Sequence, residues 1–329
     1  MKPRFSVIVP LYNKAPFVKK ALESIISQTF TDWECIIVDD GSTDNSADIA
    51  QSIISSLSET DHFIIRILRQ PNSGVAKARN VGVENSHGEY LCFLDADDWW
   101  EPSYLEELDK LITEYSDAGL FCTNYVYYKP GKTHVALHLD RGYMNYPEAY
   151  LHGEMPVWTG AACMPRMVFD EMGGFPIGIK LGEDFLLWAK TALHYPVAFC
   201  EKPLSCYNND VPASLRATRN LHAPEYNMLF HLDEIEKTIN LNFEILNPKS
   251  AAWTQLLDKL RISGLMDYWL NDVYHDAAAA EMAKVDWRKL PKSAKALYEK
   301  PIWVIKAKRF FLHIGSYFKQ KLIRLRYKK

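Results

Sequence analysis

Within the first 94 residues, short apolar runs alternate with amphipathic segments, and this alternation restricts the fold more than any other feature of the chain. Phe5-Ser6-Val7-Ile8-Val9 is an apolar run bounded by Pro10, which reads as a strand. Phe17, Ala21, Leu22, Ile25 and Ile26 then recur at helical spacing. Residues 33–38 read as a strand, with Asp39-Asp40-Gly41-Ser42 as the turn that follows. Residues 46–57 read as a helix, 63–68 as a strand, 75–83 as a helix and 90–94 as a fourth strand. Such a β-α-β-α-β-α-β order predicts an α/β fold, a mainly parallel sheet flanked by helices on both faces.

Ligands of such sheets bind beyond the carboxyl ends of the strands. The polar clusters obey that rule. Pro10-Leu11-Tyr12-Asn13 follows the first strand, Asp39-Asp40 the second, and Asp95-Ala96-Asp97-Asp98 the fourth. The last cluster sets three carboxylates within four residues. Like charges packed so tightly call for a cation, and hard cations such as Mg²⁺ and Mn²⁺ take one or two carboxylates plus substrate phosphates. The same tetrad also allows a plain turn in which Asp98 caps a helix opening near Pro102.

The middle of the chain, 118–207, reads as mixed. Residues 120–128 form an aromatic-rich strand, 155–164 an apolar segment with a tryptophan, and Gly182-Glu183-Asp184 opens a helix over 185–193. The aromatic run 143–158 suits either a core or sugar faces. From about Pro224 the pattern turns helical, with Trp253, Leu256, Leu257, Leu260, Leu265 and Tyr268 as an apolar stripe and 277–280 as another helix former.

The net charge of −3 conceals an asymmetry: ten Lys/Arg and no Asp/Glu lie from Lys300 onward, which leaves the rest at −13. Cys35, Cys92, Cys122, Cys163, Cys200 and Cys206 show neither CxxC pairs nor metal-ligand spacing, and several sit in apolar runs, which points to a reducing compartment. The N-terminal apolar run is short and broken by Pro10, unlike a signal peptide, and there is no run of about 18 apolar residues to span a membrane.

Seven segments, in order, resemble glycosyltransferase family 2, the inverting nucleotide-sugar transferases of GT-A fold. They are Ser6-Val7-Ile8-Val9-Pro10-Leu11-Tyr12-Asn13, Ser27-Gln28-Thr29-Phe30-Thr31-Asp32-Trp33-Glu34 and Val38-Asp39-Asp40-Gly41-Ser42-Thr43-Asp44. Asn72-Ser73-Gly74-Val75-Ala76-Lys77-Ala78-Arg79-Asn80, Gly88-Glu89-Tyr90, Leu94-Asp95-Ala96-Asp97-Asp98 and Gly182-Glu183-Asp184 complete the set. The resemblance covers about residues 3–215. It implies a GT-A catalytic domain over 1–218, with a nucleotide-binding half at about 1–100 and an acceptor half at about 101–218. A helical C-terminal region over 219–329 ends in the basic tail.

The resemblance also implies roles. Pro10 and Tyr12 line the nucleotide site, with Tyr12 against the base, and Asp39 accepts the base N–H. Gly74 and Arg79 lie in the segment that lines the nucleotide pocket, although Arg79 equally suits an ion pair. Asp95 approaches the ribose or the metal shell, and Asp97 holds a divalent cation, Mn²⁺ or Mg²⁺, that bridges the donor diphosphate. Asp184 is the general base that deprotonates the acceptor hydroxyl; Glu183 and Asp184 also suit a helix N-terminus.

The implied activity is inverting transfer of one sugar from a nucleotide-sugar donor, UDP-linked, to an acceptor hydroxyl. A setting in bacterial surface polysaccharide (capsule, O-antigen or lipooligosaccharide) follows. The Tyr-Arg-x-His segment of many members is replaced by Tyr207-Asn208-Asn209-Asp210, and the Gln-x-x-Arg-Trp motif of processive synthases is absent. Alternatives are an inactive transferase-like scaffold that binds membrane or a partner, and a sugar nucleotidyltransferase. The latter lacks its Gly-rich phosphate loop at Pro10-Leu11-Tyr12-Asn13-Lys14, where no GxGxxG turn stands either. In the tail, Trp303, Ala307, Phe310, Phe311, Ile314, Phe318, Leu322 and Leu325 share one helical face. Such a basic amphipathic helix suits the cytoplasmic membrane surface and a lipid-linked or glycan acceptor, or packing on the acidic body. Nucleic acid is disfavoured by the acidic remainder.

Overall fold

The computed structural model describes residues 2–57, 64–152, 155–212, 215, 221–241, 250–289, 295–296 and 298–302. The amphipathic tail, 303–329, lies outside the described residues. By contacts the chain divides into two units, Met1–Leu256 and Leu257–Lys329.

The first unit opens with the expected alternation: β1 (Phe5–Leu11), α1 (Val18–Ile26), β2 (Trp33–Asp39), α2 (Ser46–Ser56), β3 (Ile64–Arg69), α3 (Val75–Glu84) and β4 (Tyr90–Phe93). β5 (Trp99–Trp100), α4 (Tyr104–Glu114), β6 (Leu120–Tyr128), β7 (His134–Val135), β8 (Gly142–Met144) and α5 (Tyr146–Leu151) follow. β9 (Ala162–Pro165), α6 (Arg166–Met172), α7 (Glu183–His194), β10 (Val197–Asn208) and α8 (Asp233–Leu241) complete the named elements. All ten strands join one sheet, in the order β3-β2-β1-β4-β9-β6-β10-β5, with β7 on β6 and β8 on β10. β1 pairs parallel with β2 and β4, β2 with β3, and β6 with β10. Antiparallel β9 bridges these two parallel blocks, between β4 and β6.

β1 and β2 are interior strands of this sheet, and every residue of β2 is buried. Both faces are covered, which is why these strands read as continuous apolar runs. α1 lays Val18, Ala21, Leu22 and Ile25 on the sheet, the spacing its sequence shows. β1 continues through Pro10, which the sequence suggested as its end. The Ile8 carbonyl accepts from Leu94 N–H, so even-numbered residues of β1 face β4. β4 stops at Phe93, opposite Ile8, and the N–H that Pro10 lacks would point past its end.

In the second unit, helices Met266–Trp269 and His275–Met282 pack on each other, and buried Arg261 has its Nε 3.4 Å from Glu281 Oε2 on the latter. Among the described residues no helix is long and apolar enough to cross a membrane.

Candidate active site

Three strands deliver polar residues to one sheet edge, and two of them, β2 and β4, deliver carboxylates. β1 and β2 end in register, Leu11 beside Asp39, and Asp95 and Asp97 leave the sheet two and four residues past the end of β4. Tyr12, 45% exposed, stands at the end of β1 with its ring available to a ligand. Buried Asp39 accepts the Ser42 N–H at 3.1 Å. Asp40 accepts the Ser73 and Gly74 N–H groups, each at 2.9 Å, and Gln70 Nε2 at 2.7 Å. It thereby fixes the loop ahead of α3, where Gly74 takes φ +91°, a conformation that favours glycine.

Arg79 sits within α3, only 3% exposed, and joins two carboxylates. Its Nη2 donates to Asp95 Oδ1 at 2.7 Å and its Nη1 to Glu183 Oε1 at 2.8 Å. Burial opposes the guanidinium charge, but Asp95, Glu183 and Asp184 outweigh it and hold the pKa above its ordinary value. Glu183 is the first residue of α7. Burial and the neighbouring Asp184 push its carboxyl up to about 7, against the pull of Arg79. Gly182 ahead of it takes φ +83°, and a Cβ there would meet Met228 Cγ at 2.5 Å. The turn that aims Glu183 and Asp184 therefore needs glycine twice over.

Asp184 accepts two hydrogen bonds: Thr159 Oγ1 donates to Oδ2 at 2.8 Å, and the Phe185 N–H to Oδ1 at 2.8 Å. Beside Thr159, the Trp158 ring packs edge-on against Tyr207 at 5.1 Å and tilted against Tyr125 at 5.3 Å. The base candidate thus borders an aromatic wall, with Tyr127 and Tyr207 half-buried.

On the opposite side, Lys14 Nζ donates to Asp97 Oδ2 at 2.5 Å and to the Leu215 carbonyl at 2.9 Å. Burial pushes the Asp97 carboxyl up; Lys14 pulls it back and Asp95 adds to the rise. Asp98 does not cap a helix: α4 begins only at Tyr104, and buried Asp98 instead accepts the Asn208 N–H at 2.7 Å. This bond ties the end of β10 to the acidic turn. Burial, then the charges of Asp97 and Asp95, push the Asp98 carboxyl well above the ordinary range.

Among the described residues no three His, Cys, Asp or Glu side chains converge to hold a metal unaided. Asp95 and Asp97 are hard oxygen donors on one turn, and Asp97 is largely buried with Lys14 as its ion-pair partner. That donor set fits a Mg²⁺- or Mn²⁺-type ion whose remaining ligands arrive with a phosphate.

The family model for glycosyl transferase family 2 matches residues 6–173, just over half of the chain. The chain belongs to glycosyltransferase family 2. It is 35% identical over 218 residues to the glycosyltransferase GlyA of Streptococcus pneumoniae, covering 62% of this chain and 30% of that protein. It is 33% identical over 190 residues to the putative teichuronic acid biosynthesis glycosyltransferase TuaG of Bacillus subtilis, covering 57% of this chain and 71% of TuaG. The match spans under a third of GlyA and 39% of YibD from Escherichia coli. Among solved structures, TarS of S. aureus in complex with UDP-GlcNAc superposes with a TM-score of 0.64 at 19% identity, over 89% of this chain and 83% of that one. The likeness establishes a GT-A type fold.

Of the residues expected from this family's motifs, Asp95, Arg79 and the Glu183-Asp184 pair form one connected chain of contacts. Pro10, Tyr12 and Asp39 stand at the neighbouring strand ends. Arg79 commits both Nη groups to carboxylates, the ion-pair arrangement its sequence also allowed. Asp40 stood in the sequence only as part of a strand-end cluster, and Lys14 and Thr159 had no role there. Lys14 directly follows the Tyr12-Asn13 turn, and that adjacency is the one signal that could have drawn attention to it.

Proposed function

We propose that this chain is an inverting glycosyltransferase that moves one sugar from a UDP-linked donor to an acceptor hydroxyl during assembly of a bacterial surface polysaccharide. The observation that carries the reading is the buried Asp95–Arg79–Glu183 chain, which couples the donor-side carboxylates to the residue next to the base. The UDP-GlcNAc held by TarS supports a UDP-type donor, and the name of TuaG supports a cell-surface glycan.

In this reading Tyr12 takes the base and Asp39 accepts its N–H, both at the strand ends. Asp97, with Asp95 beside it, would hold the divalent cation, which when bound neutralises charge on the departing diphosphate. Arg79 fixes Asp95 in place through their ion pair. The acceptor oxygen bonds to the anomeric carbon as the bond from that carbon to the diphosphate oxygen breaks. Asp184 receives the hydroxyl proton, with Thr159 and the Phe185 N–H setting the carboxylate's angle. Attack from the face opposite the leaving group inverts the anomeric centre. Placement at the inner membrane face is proposed from the tail sequence alone.

Calorimetric titration of UDP, GDP and CDP, with and without Mn²⁺ or Mg²⁺, tests the donor. UDP binding that needs the metal and is lost in Asp97→Ala is expected. Failure of all three nucleotides to bind the folded protein with metal present would leave the scaffold reading.

A further inference from the structure

We propose that Lys14 is a built-in counter-ion that occupies the cation's place on Asp97 until the donor diphosphate draws it away, so that metal and donor enter together rather than in turn. The inference rests on the donor reading above and adds the order of assembly at that site.

Lys14 is not a loose surface lysine. Its side chain is 18% exposed and that of Asp97 17%. Its ammonium uses two of three N–H donors, on Asp97 Oδ2 at 2.5 Å and the Leu215 carbonyl at 2.9 Å. The backbone beneath it is pinned to the loop after β2. Lys14 N–H donates to Ser46 Oγ at 2.7 Å, Ala15 N–H to Asp44 Oδ2 at 3.1 Å, and Thr43 N–H to Asn13 Oδ1 at 2.8 Å. Asn13 takes φ +50°, rare for a residue with a side chain, to turn the chain there. The lysine is thus delivered to Asp97 by a fixed turn.

A dication on Asp97 would stand within a few ångströms of the Lys14 ammonium, and that repulsion in a partly buried site favours displacement of Nζ. A displaced, partly buried ammonium needs another anion. The other acidic groups nearby have partners: Asp95 holds Arg79 and Asp98 holds the Asn208 N–H. The anion that fits is the diphosphate, which would take the metal and the freed lysine at once. Free metal gains nothing comparable. The consequence is positive coupling between metal and nucleotide, equal in both directions by linkage.

The test is direct Mn²⁺ binding, by electron paramagnetic resonance or calorimetry, with and without UDP, on wild type, Lys14→Gln and Lys14→Arg. Thermal melts check that each variant is folded. Lys14→Gln is expected to bind Mn²⁺ without nucleotide about ten-fold more tightly than wild type, and the factor by which UDP improves Mn²⁺ binding falls by a similar amount. Lys14→Arg, which keeps the charge, should keep weak metal binding and most of the coupling. Unchanged Mn²⁺ affinity and coupling in Lys14→Gln, with UDP still bound, would overturn the role of Lys14 and leave the donor reading standing. Absence of UDP, GDP and CDP binding to the wild type would overturn both. A folded Lys14→Gln that is loose for Mn²⁺ in every condition would also overturn the proposal, since the lysine would then be supporting the site.

Discussion

Arg79 and Glu183, 104 positions apart in the chain, form a buried ion pair with Nη1 and Oε1 2.8 Å apart. The same guanidinium reaches Asp95 at 2.7 Å, so one side chain spans the acidic turn after β4 and the start of α7. Asp95 and Glu183 lie 88 positions apart within the first unit (183 − 95). Their relative position is set by a fork whose two prongs point to different carboxylates.

Removing that fork leaves two carboxylates without their counter-charge. Arg79→Ala is expected to destabilise the protein by about 3–5 kcal/mol, the usual cost of stranding a buried charge. A chain of this size should then lose roughly 10 °C in Tm. Arg79→Lys should recover part of the loss only, because an ammonium lacks the planar fork. Urea unfolding of the three proteins checks the ranking; equal stabilities would show that the pair contributes little.

Asp184→Asn keeps shape and removes the proton acceptor. It should lower kcat by about 10²–10⁴ while leaving UDP binding intact. Steady-state kinetics beside calorimetry separates the two quantities. A loss of UDP affinity as large as the loss in kcat would move Asp184 out of the base role.

Thr159→Val deletes the hydroxyl that donates to Asp184 Oδ2 at 2.8 Å without changing side-chain volume. The expected outcome is a fall in kcat of about ten-fold with KM for the donor unchanged, as one hydrogen bond to a charged group is worth roughly 1.5–3 kcal/mol and part of it is replaced. Thr159→Ser should restore the rate. A Ser variant as slow as Val would point to the Thr159 methyl and its packing.

The raised carboxyl of Glu183 makes stability pH-dependent with a definite sign. Its folded pKa, about 7, lies above the ordinary value of 4.5, so the folded state holds the proton more tightly. This contribution to stability is fully present below about 4.5 and is lost as pH rises through about 7. Glu183→Gln removes the titration. The Tm of Glu183→Gln relative to wild type should therefore climb across that interval and level off above it. A difference that is flat with pH would show that Arg79 keeps Glu183 ionised throughout.

Periodicity alone identified β1 to β4 and the helices between them; β1 and β2 are buried on both faces and so read as nearly unbroken apolar runs, while β3 is only part-buried. The motifs at the strand ends were legible for a related reason: a parallel sheet exposes its ligand-binding residues at one edge. The aromatic wall was harder to assign. Trp158 and Tyr207 meet across 49 positions of sequence, and only strand pairing brings β10 beside β6.

Sequence by itself determined the α/β layering, the family and the set of polar residues gathered at the sheet edge, since these follow from local spacing and from short contiguous motifs. Tertiary structure decided which of those residues are partners. Lys14 meets Asp97 across 83 positions, Asn208 meets Asp98 across 110, and Thr159 meets Asp184 across 25. Each pairing is an electrostatic or hydrogen-bonding match between groups that carry no sequence signal of one another. They become neighbours only when parallel strands bring distant turns to a common edge, and there burial makes leaving any of them unpaired costly.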